Sequence, residues 1–422
     1  ALEANARLIT DLIPELKLII GQPPPVPELE PQQAQQRFLQ VLQRFIGVFA
    51  QAEHPLALFL DDLQWLDAAT LDLLEDMLSR AETPHLLLVG AYRDNEVDGD
   101  HPLSRTLKTL HHADVHIDEI RLAPLAGAHI EQLISESLRC PPASIVALAR
   151  LVLDKTAGNP FFVIQFLHAL AEEKLLTYEP ACQRWRWDVH LINGKGYTDN
   201  VVDLMVGKLA RLPQETRQAL QQLACLGNVA RLDTLATVLD VPVPHVHSAL
   251  WPAVRLELVE RQDGAYRFVH DRIHEAAYSL IAETERAQMH LRIGRLLALQ
   301  TQGERREEAI FEIVGQLNRG AHLISLRAER EQLAEFNLLA GQRAKASTAY
   351  TSALTYLGAG AELLGEQGYD SRHELGFALE LNRAECEFLT GQLQLADSRL
   401  ATLAERAVTT VERAAVACLQ MD

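Results

Sequence analysis

The sequence Leu56-Ala-Leu-Phe-Leu-Asp-Asp62 decides the fold of its region. A short run of apolar residues is typical of a central strand in a parallel sheet, buried on both faces. Two carboxylates follow this run directly, and a second apolar run, His85–Ala91, comes after a helical stretch. Because parallel strands end at a common edge, we expect the acids at the edge where α/β sheets bind ligands.

The segments around this strand complete an alternating pattern. Asp67 is a suitable N-cap for the helix that follows the acids. Upstream, residues 38–49 have apolar side chains at helical spacing, after a proline-rich connector at Gly21–Pro31. A third, weaker strand is predicted at Asp118–Leu122. Strands that alternate with helices predict an α/β domain with a parallel sheet.

From about Gly127 the pattern becomes helical. Two helices are predicted first, then a third over Phe161–Lys174 and a β-hairpin over Thr177–Asp188. Further helices are predicted at roughly 199–211, 213–226, 231–239 and 245–256. A second hairpin turns on Asp263-Gly264, a dipeptide that favours tight turns between strands. Helices beside a two-stranded wing predict a winged-helix-like unit at 195–282.

Beyond residue 283 only helical periodicity is found. The segments Ala334–Gln342 and Ala384–Gln392 repeat the pattern A-E-x-x-Φ-L-x-G-Q, where Φ is hydrophobic. Small residues at fixed spacing allow paired helices to approach closely, as in tetratricopeptide arrays. The sequence therefore predicts a tetratricopeptide-like α-solenoid.

The predicted architecture has four parts. The first is an α/β core like that of P-loop NTPases, incomplete because it lacks the P-loop strand. It is followed by an all-α lid with a hairpin, the winged-helix-like unit and the helical repeats. These parts are predicted at 1–126, 127–194, 195–282 and 283–422.

Composition limits the class of protein. The 422 residues are 48% hydrophobic and 23% charged, as in globular proteins, and no apolar run is long enough to span a membrane. A net charge of −18 argues against broad affinity for DNA or anionic lipid. The five cysteines show no paired spacing, which favours a reducing, cytoplasmic location. Since the chain starts at Ala1 inside an apolar-periodic segment, we expect it to be part of a longer protein.

An apolar strand that ends in two acids resembles a Walker B motif. On this interpretation Asp61 holds Mg²⁺ through its water ligands. Asp62 polarises the water that attacks a phosphate, a role for which glutamate is the commoner residue in such ATPases. The alternative is a strand followed by an acidic turn without catalytic function.

Arg93 ends the second apolar run, in the segment Gly90-Ala-Tyr-Arg-Asp-Asn-Glu-Val97. At this place AAA-related domains keep a sensor residue near the γ-phosphate, where an arginine can stabilise phosphate charge. The alternative is a loop arginine that pairs with Asp94 or Glu96.

Two further motifs are candidates for nucleotide contacts. Asn159 and Pro160, after Gly158, begin a helix, and a Gly-x-Pro element packs on the adenine in nucleotide-switch ATPases; the alternative is an ordinary helix start. His270, after the second hairpin, is placed to reach a phosphate when the domains close. Its alternative role is to cap the next helix together with Asp271.

The phosphate-binding loop G-x-x-x-x-G-K-[ST] does not occur in the sequence. The amides and the lysine of that loop normally hold the phosphates. We therefore expect the chain alone to bind nucleotide weakly and to be catalytically incomplete. No kinase, HExxH or Gly-x-Ser-x-Gly motif is present either.

Taken together, the motifs resemble those of the STAND family, signal-transduction ATPases with numerous domains that are similar to Orc1-like AAA proteins. Five segments carry the resemblance: Leu58-Phe-Leu-Asp-Asp-Leu-Gln-Trp-Leu-Asp67, Gly90-Ala-Tyr-Arg-Asp-Asn-Glu-Val97, Gly158-Asn-Pro-Phe-Phe162, Thr198-Asp-Asn-Val-Val202 and Phe268-Val-His-Asp-Arg-Ile273. The resemblance implies a switch that binds ATP or ADP with Mg²⁺. ADP holds it closed, and ATP with an inducer opens it.

The resemblance leaves three functions open. The chain is the ATPase switch module of a bacterial sensor kinase, the regulatory ATPase of a transcriptional activator, or a helical-repeat scaffold without nucleotide function. In such proteins a serine/threonine kinase often precedes this region and GAF and histidine-kinase domains follow it. The expected partners are a nucleotide and a protein or small-molecule inducer on the repeats, and the resemblance is compatible with a nucleotide-dependent oligomer.

Overall fold

The computed structural model describes residues 5–27, 31–66, 68–79, 84–99, 101–113, 115–195, 201–301, 303–347 and 349–421. The chain forms two compact units, one of Ala1–Glu119 and Ser325–Asp422, the other of Ile120–Ile324. The predictions for Asp67 and for residues 198–200 lie outside the described residues. The four-part division of the sequence stays a prediction.

The first segment of unit one contains the predicted parallel strands. Its elements in chain order are α1 Ala6–Leu12, α2 Lys17–Ile20, α3 Pro31–Phe49, β1 Leu56–Leu60, α4 Ala68–Ser79, β2 Leu86–Gly90 and α5 Pro102–His112. Strands β1 and β2 pair in parallel, with Leu56 beside Leu86 and Leu60 beside Gly90. The prediction of two parallel strands joined by a helix is confirmed.

The prediction that β1 is buried on both faces is wrong. Its burial alternates, and Phe59 on the outer face is 61% exposed, as is Leu87 on β2. Among the described residues the sheet has two strands, and on β1 the exposed Ala57 and Phe59 alternate with the half-buried Leu56, Leu58 and Leu60. A continuous apolar run predicts a strand that is buried on both faces. The sequence shows how hydrophobic the strand is, but not how many layers cover it.

The prediction of a third strand at Asp118–Leu122 is also wrong. These residues form no strand, and Ile120 and Leu122 are 84% and 92% exposed. An apolar residue favours a strand only where a neighbouring strand and a packed face are present.

Unit two begins with the helices predicted as a lid. Its first elements are α6 Gly127–Leu138, α7 Pro142–Thr156, α8 Pro160–Glu172, β3 Leu176–Glu179, β4 Arg184–Trp187 and α9 Val189–Gly194. Strands β3 and β4 form the predicted antiparallel hairpin. A core that includes Ile134, Leu148 and Phe166 joins the three long helices.

The middle of unit two has the order two helices, strand, two helices, hairpin, helix. Its elements are α10 Val201–Ala210, α11 Gln214–Leu226, β5 Val229–Arg231, α12 Leu232–Leu239, α13 Val243–Arg255, β6 Val259–Gln262, β7 Ala265–Phe268 and α14 Asp271–Ser279. The antiparallel sheet has the order β5-β7-β6. Asp263 and Gly264 both have positive φ, as a tight hairpin turn requires, so the predicted turn is confirmed.

A buried polar chain ties the end of unit two together. The remaining elements are α15 Glu283–Gln300, α16 Glu304–Glu308 and α17 Ile310–Arg319. Gln316 Nε2 donates to the Cys225 carbonyl over 2.8 Å, so its Oε1 accepts from His290 Nδ1 over 2.7 Å. His290 Nε2 then accepts from the Tyr278 hydroxyl over 2.9 Å. Helices α11, α14, α15 and α17 thereby share one hydrogen-bonded path.

The second segment of unit one is helical throughout. It contains α18 Arg327–Ala346, α19 Tyr350–Ser371, α20 His373–Leu389, α21 Leu393–Arg406 and α22 Thr410–Met421. The two copies of the sequence repeat differ in structure. Gly341 lies inside α18, where an added Cβ would be 2.5 Å from Leu357 Cγ. Gly391 instead follows the end of α20 with φ +77. The repeat pattern shows where small residues fall and not how each copy folds.

Within the described part of the chain, none of the helices combines the length and the apolar character needed to cross a membrane.

The buried chain of hydrogen bonds through His290 predicts that acid lowers the stability of unit two. His290 is 1% exposed, and its burial holds the pKa below the ordinary value of 6.5. Since the unfolded chain takes up the proton at higher pH than the folded one, the free energy of unfolding should decrease as pH falls below 6.5. His290→Leu should lower stability at pH 7.5 by about 1–3 kcal/mol, because it leaves Gln316 and Tyr278 without partners.

Urea unfolding of wild type and variant between pH 7.5 and 5 measures both effects. The variant should show a weaker pH dependence than wild type, while His322→Leu, at an exposed histidine, should retain the wild-type dependence. An equal pH dependence in wild type and His290→Leu would contradict this explanation.

Candidate functional site

The loops after β1 and β2 are held together beyond the ends of the strands. The Ala91 amide donates to the Leu60 carbonyl over 2.9 Å, and the Leu63 amide donates to the Ala91 carbonyl over 2.9 Å. Between these bonds the chain leaves β1 through Asp61 and Asp62. The parallel pair thus places both acids next to the segment that carries Arg93.

Asp62 has an unusual backbone conformation. Its φ and ψ of 55° and 44° are left-handed, a region that aspartate tolerates better than most residues because its short side chain bonds locally. The Asp62 amide donates to Asp61 Oδ1 over 3.0 Å. Asp61 is exposed, whereas Asp62 is half-buried. The two acids therefore have different environments, and the outer one faces solvent.

Gln64 connects the two loops, and sequence reasoning gave it no role. It is only 6% exposed. Its Nε2 donates to Asp62 Oδ1 over 2.9 Å, and its Oε1 accepts from the Arg93 amide over 3.3 Å. Its signal in the sequence is a single amide side chain between Leu63 and Trp65, in an otherwise apolar turn.

The Arg93 guanidinium lies close to Asp62, Glu96 and Trp65. Its Nη2 lies 3.8 Å from Asp62 Oδ1, and its Nη1 lies 3.1 Å from Glu96 Oε1. Its Cζ lies 5.4 Å from the centre of the Trp65 ring, a cation–π distance. Arg93 therefore lies near Asp62, the other residue with a predicted catalytic role, and it also makes the Glu96 pair that was the alternative.

Gly158 fixes the second candidate motif in unit two. It has φ +75, and an added Cβ would be 2.4 Å from the Leu125 carbonyl oxygen. Its own carbonyl accepts from the Leu125 amide over 2.8 Å. Asn159 then caps α8, since its Oδ1 accepts from the Phe162 amide over 2.9 Å, and Pro160 occupies the first turn. This is an ordinary helix start; an adenine contact for Asn159 and Pro160 stays a prediction.

The same motif meets His270 through Phe161. The Phe161 and His270 rings stack with centroids 4.0 Å apart and planes 16° apart. Phe161 also packs against the core around β7 and α14. The structure thus brings together two motifs of unit two that lie far apart in sequence, and Phe161 was the residue that sequence reasoning missed. Its signal was the pair of phenylalanines directly after Pro160.

His270 also makes the cap that was its alternative role. Its Nδ1 lies 3.1 Å from the Arg272 amide, which must donate, and 2.5 Å from Asp271 Oδ1. One nitrogen cannot accept from the amide and donate to the carboxylate at once. With Nδ1 as acceptor the neutral ring carries its proton on Nε2, and a protonated ring carries one there too. Nε2 has no hydrogen bond within the described residues and is available to donate to an anion.

The donor set at the β1 edge suits a hydrated magnesium ion. Mg²⁺ is usually held by one or two carboxylates, with waters and substrate phosphates as its other ligands. Asp61 is an exposed carboxylate at the end of a strand, which fits that requirement. In the described residues no group of three or more His, Cys, Asp or Glu side chains forms an all-protein metal site.

Comparisons with known proteins find an ATPase domain family and a signalling relative. Residues 1–89 match the AAA ATPase domain family. The chain is also similar to hybrid signal transduction histidine kinase G of Dictyostelium discoideum, with 26% identity over 96% of this chain. It spans 15% of the length of that relative.

A solved structure is similar to this chain. The match covers 91% of this chain and 54% of the chain in that structure. It is a signal transduction ATPase with numerous domains (STAND) with a tetratricopeptide repeat sensor, from Pyrococcus horikoshii. The TM-score is 0.47 and the sequence identity is 12%.

The close approach at Gly158 predicts a large effect of a single methyl group. Gly158→Ala should destabilise unit two by more than about 1–2 kcal/mol, because a left-handed alanine is strained and its Cβ also collides with the Leu125 carbonyl. Gly207→Ala is the matched control, since Gly207 is helical and its added Cβ would meet no atom within 4 Å. That control should stabilise the protein by about 0.5–1 kcal/mol. Urea unfolding of both variants checks this, and equal stability would contradict it.

Proposed function

We propose that this chain is the nucleotide-dependent switch module of a larger signalling protein. ADP holds the closed state, and ATP with an inducer opens it. The observation that carries the proposal is the meeting of Asp62 and Arg93 at the carboxyl edge of two parallel strands. Support comes from the match of residues 1–89 to the AAA ATPase domain and from the similarity to a signalling histidine kinase.

In this proposal the two acids have separate tasks. Asp61, at the exposed end of β1, holds Mg²⁺ through water. When bound, Mg²⁺ neutralises phosphate charge. Asp62 accepts from Gln64 through Oδ1, while its Oδ2 has no hydrogen bond within the described residues. Gln64 therefore orients the carboxylate and leaves one oxygen to polarise an attacking water.

Arg93 reaches the phosphates by exchanging partners. Its pair with Glu96 is partly exposed, with side chains 27% and 32% accessible. Such pairs contribute about 0.2–1 kcal/mol, so a phosphate with more negative charge displaces Glu96 at little cost. The Trp65 ring supports the guanidinium during the exchange.

Unit two supplies the contacts that distinguish nucleotide states. Asn159 and Pro160 pack on the adenine, and His270 Nε2 donates to a phosphate. Because Phe161 stacks on His270, a shift of the winged-helix-like unit moves the start of α8 as well. The helical repeats receive the inducer, and the output belongs to domains outside this chain.

The role of Asp62 is tested by Asp62→Asn in the full-length protein. The amide cannot act as a base, so ATP turnover should fall by about 10²- to 10⁴-fold while ATP affinity is kept. Asp94→Asn, at an exposed acid on the same edge, is the control and should keep wild-type turnover. Steady-state hydrolysis and nucleotide binding measure the two quantities. Unchanged turnover in Asp62→Asn would remove Asp62 from the mechanism.

The role of His270 is tested by the rate of ADP release. His270→Leu removes a donor to a charged phosphate, so release should become about 10- to 100-fold faster. Phe161→Leu keeps the histidine but removes the stack, and its effect should be smaller and in the same direction. Phe388→Leu, at a partly exposed ring of α20, is the control. Stopped-flow displacement of a fluorescent ADP measures the rates, and a wild-type rate in His270→Leu would exclude the phosphate contact.

A further inference from the structure

Helix α19 is interrupted at Gly365. Its φ and ψ of 60° and 179° lie in a region that is essentially restricted to glycine. A Cβ added to Gly365 would meet no atom within 4 Å, so the space beside the kink is open. This space is part of a cavity of about 470 Å³, whose walls come from the first turns of α18 and from the kinked part of α19.

Two of the charged residues in the cavity neutralise each other. Arg327 Nε lies 2.7 Å from Glu331 Oε1, and Arg372 lies 3.3 Å from the other oxygen of Glu331. The Arg327 guanidinium holds the pKa of the Glu331 carboxyl below its ordinary value. Arg327 also contacts the Ser371 hydroxyl. These side chains belong to the packing between α18 and the end of α19.

Three charges in the same cavity have no such partners. The side chains of Arg330 on α18, and of Glu362 and Glu366 on α19, make no hydrogen bond or ion pair within the described residues. The cavity therefore offers one cation on one wall and two carboxylates on the other. Leu363 and Gly365 provide an apolar surface between them.

A matching ligand has the opposite charges in the same arrangement. One carboxylate would bind the Arg330 guanidinium, whose planar donors suit bidentate contact. Two ammonium or guanidinium groups would face Glu362 and Glu366, joined by a short aliphatic chain. The volume of the cavity falls within the range of small-molecule pockets, about 300–1,000 Å³.

We propose that this cavity binds a free α-amino acid with a basic side chain, such as lysine, ornithine or arginine. This proposal depends on the proposed function at one point, namely that the amino acid would be the inducer of the switch. The kink supports this role, because a ligand that contacts both α18 and α19 across Gly365 fixes the angle between the two halves of α19.

Calorimetric titration of the full chain with L-lysine, without nucleotide, tests the proposal. L-Norleucine lacks the side-chain ammonium and cadaverine lacks the carboxylate, so both should bind at least about 10-fold more weakly than lysine. L-Ornithine and L-arginine should bind within the same range as lysine. Equal affinity for norleucine or cadaverine, or no heat from any of the three basic amino acids up to about 10 mM, would overturn the proposal.

Variants separate the site from general charge effects. Arg330→Gln and Glu366→Gln should each weaken lysine binding by about 10-fold or more, since each leaves one ligand charge unpaired. Glu405→Gln, at an exposed acid on α21, should bind lysine as wild type does. Wild-type affinity in both cavity variants would exclude the site.

The kink has its own matched pair of variants. Gly365→Ala has room for the methyl group but not the required torsion, and should weaken lysine binding. Gly358→Ala, in the regular part of α19 with equally open space, should leave it unchanged. Unaltered binding in Gly365→Ala would show that the kink does not form the site. Because these titrations omit nucleotide, their failure would leave the proposed switch intact, and failure of the Asp62 test would leave the cavity proposal intact.

Discussion

The candidate site of unit one depends on the hydrogen bonding that continues past the ends of two parallel strands. Ala91, directly after β2, bonds through its backbone to Leu60 at the end of β1 and to Leu63 beyond it. These bonds fix two loops side by side that carry acids on one and an arginine on the other. Gln64 adds a side-chain bridge between the same loops. Without this pairing, the acids and Arg93 would be neighbours in neither sequence nor space.

Unit two uses a different means to hold distant segments together. Aromatic stacking joins the start of α8 to His270, and a buried chain of hydrogen bonds joins four helices through His290. Both contacts are specific in geometry, because a stacked ring and a fixed histidine tautomer each allow few arrangements. These contacts therefore connect segments that are far apart in the sequence.

Much of the local structure follows from the sequence alone. The strands β1 and β2, the hairpin at Asp263-Gly264 and five helices of unit two, α8 and α10 to α13, were predicted within a few residues. Their signals are local, namely apolar runs, periodic spacing and turn residues with positive φ. The meeting of Asp62 with Arg93 was also predictable, since the ends of parallel strands share an edge.

The errors and omissions concern what packs against each element. Phe59 is exposed although its segment is as apolar as a buried strand, and Ile120 is exposed in a predicted strand that does not form. Gly341 and Gly391 occupy the same place in a repeat yet have different conformations. The roles of Gln64 and Phe161 depend on partners many residues away, Arg93 and His270. Such facts are set by tertiary contacts, which no local pattern encodes.

The left-handed backbone of Asp62 has a consequence for the choice of acid. Aspartate adopts this conformation more readily than glutamate, because its carboxylate is close enough to bond to nearby main chain. Main-chain torsion thus favours the shorter of the two acids at this position. The reach of the carboxylate from the sheet is then limited by the bend of the polypeptide itself.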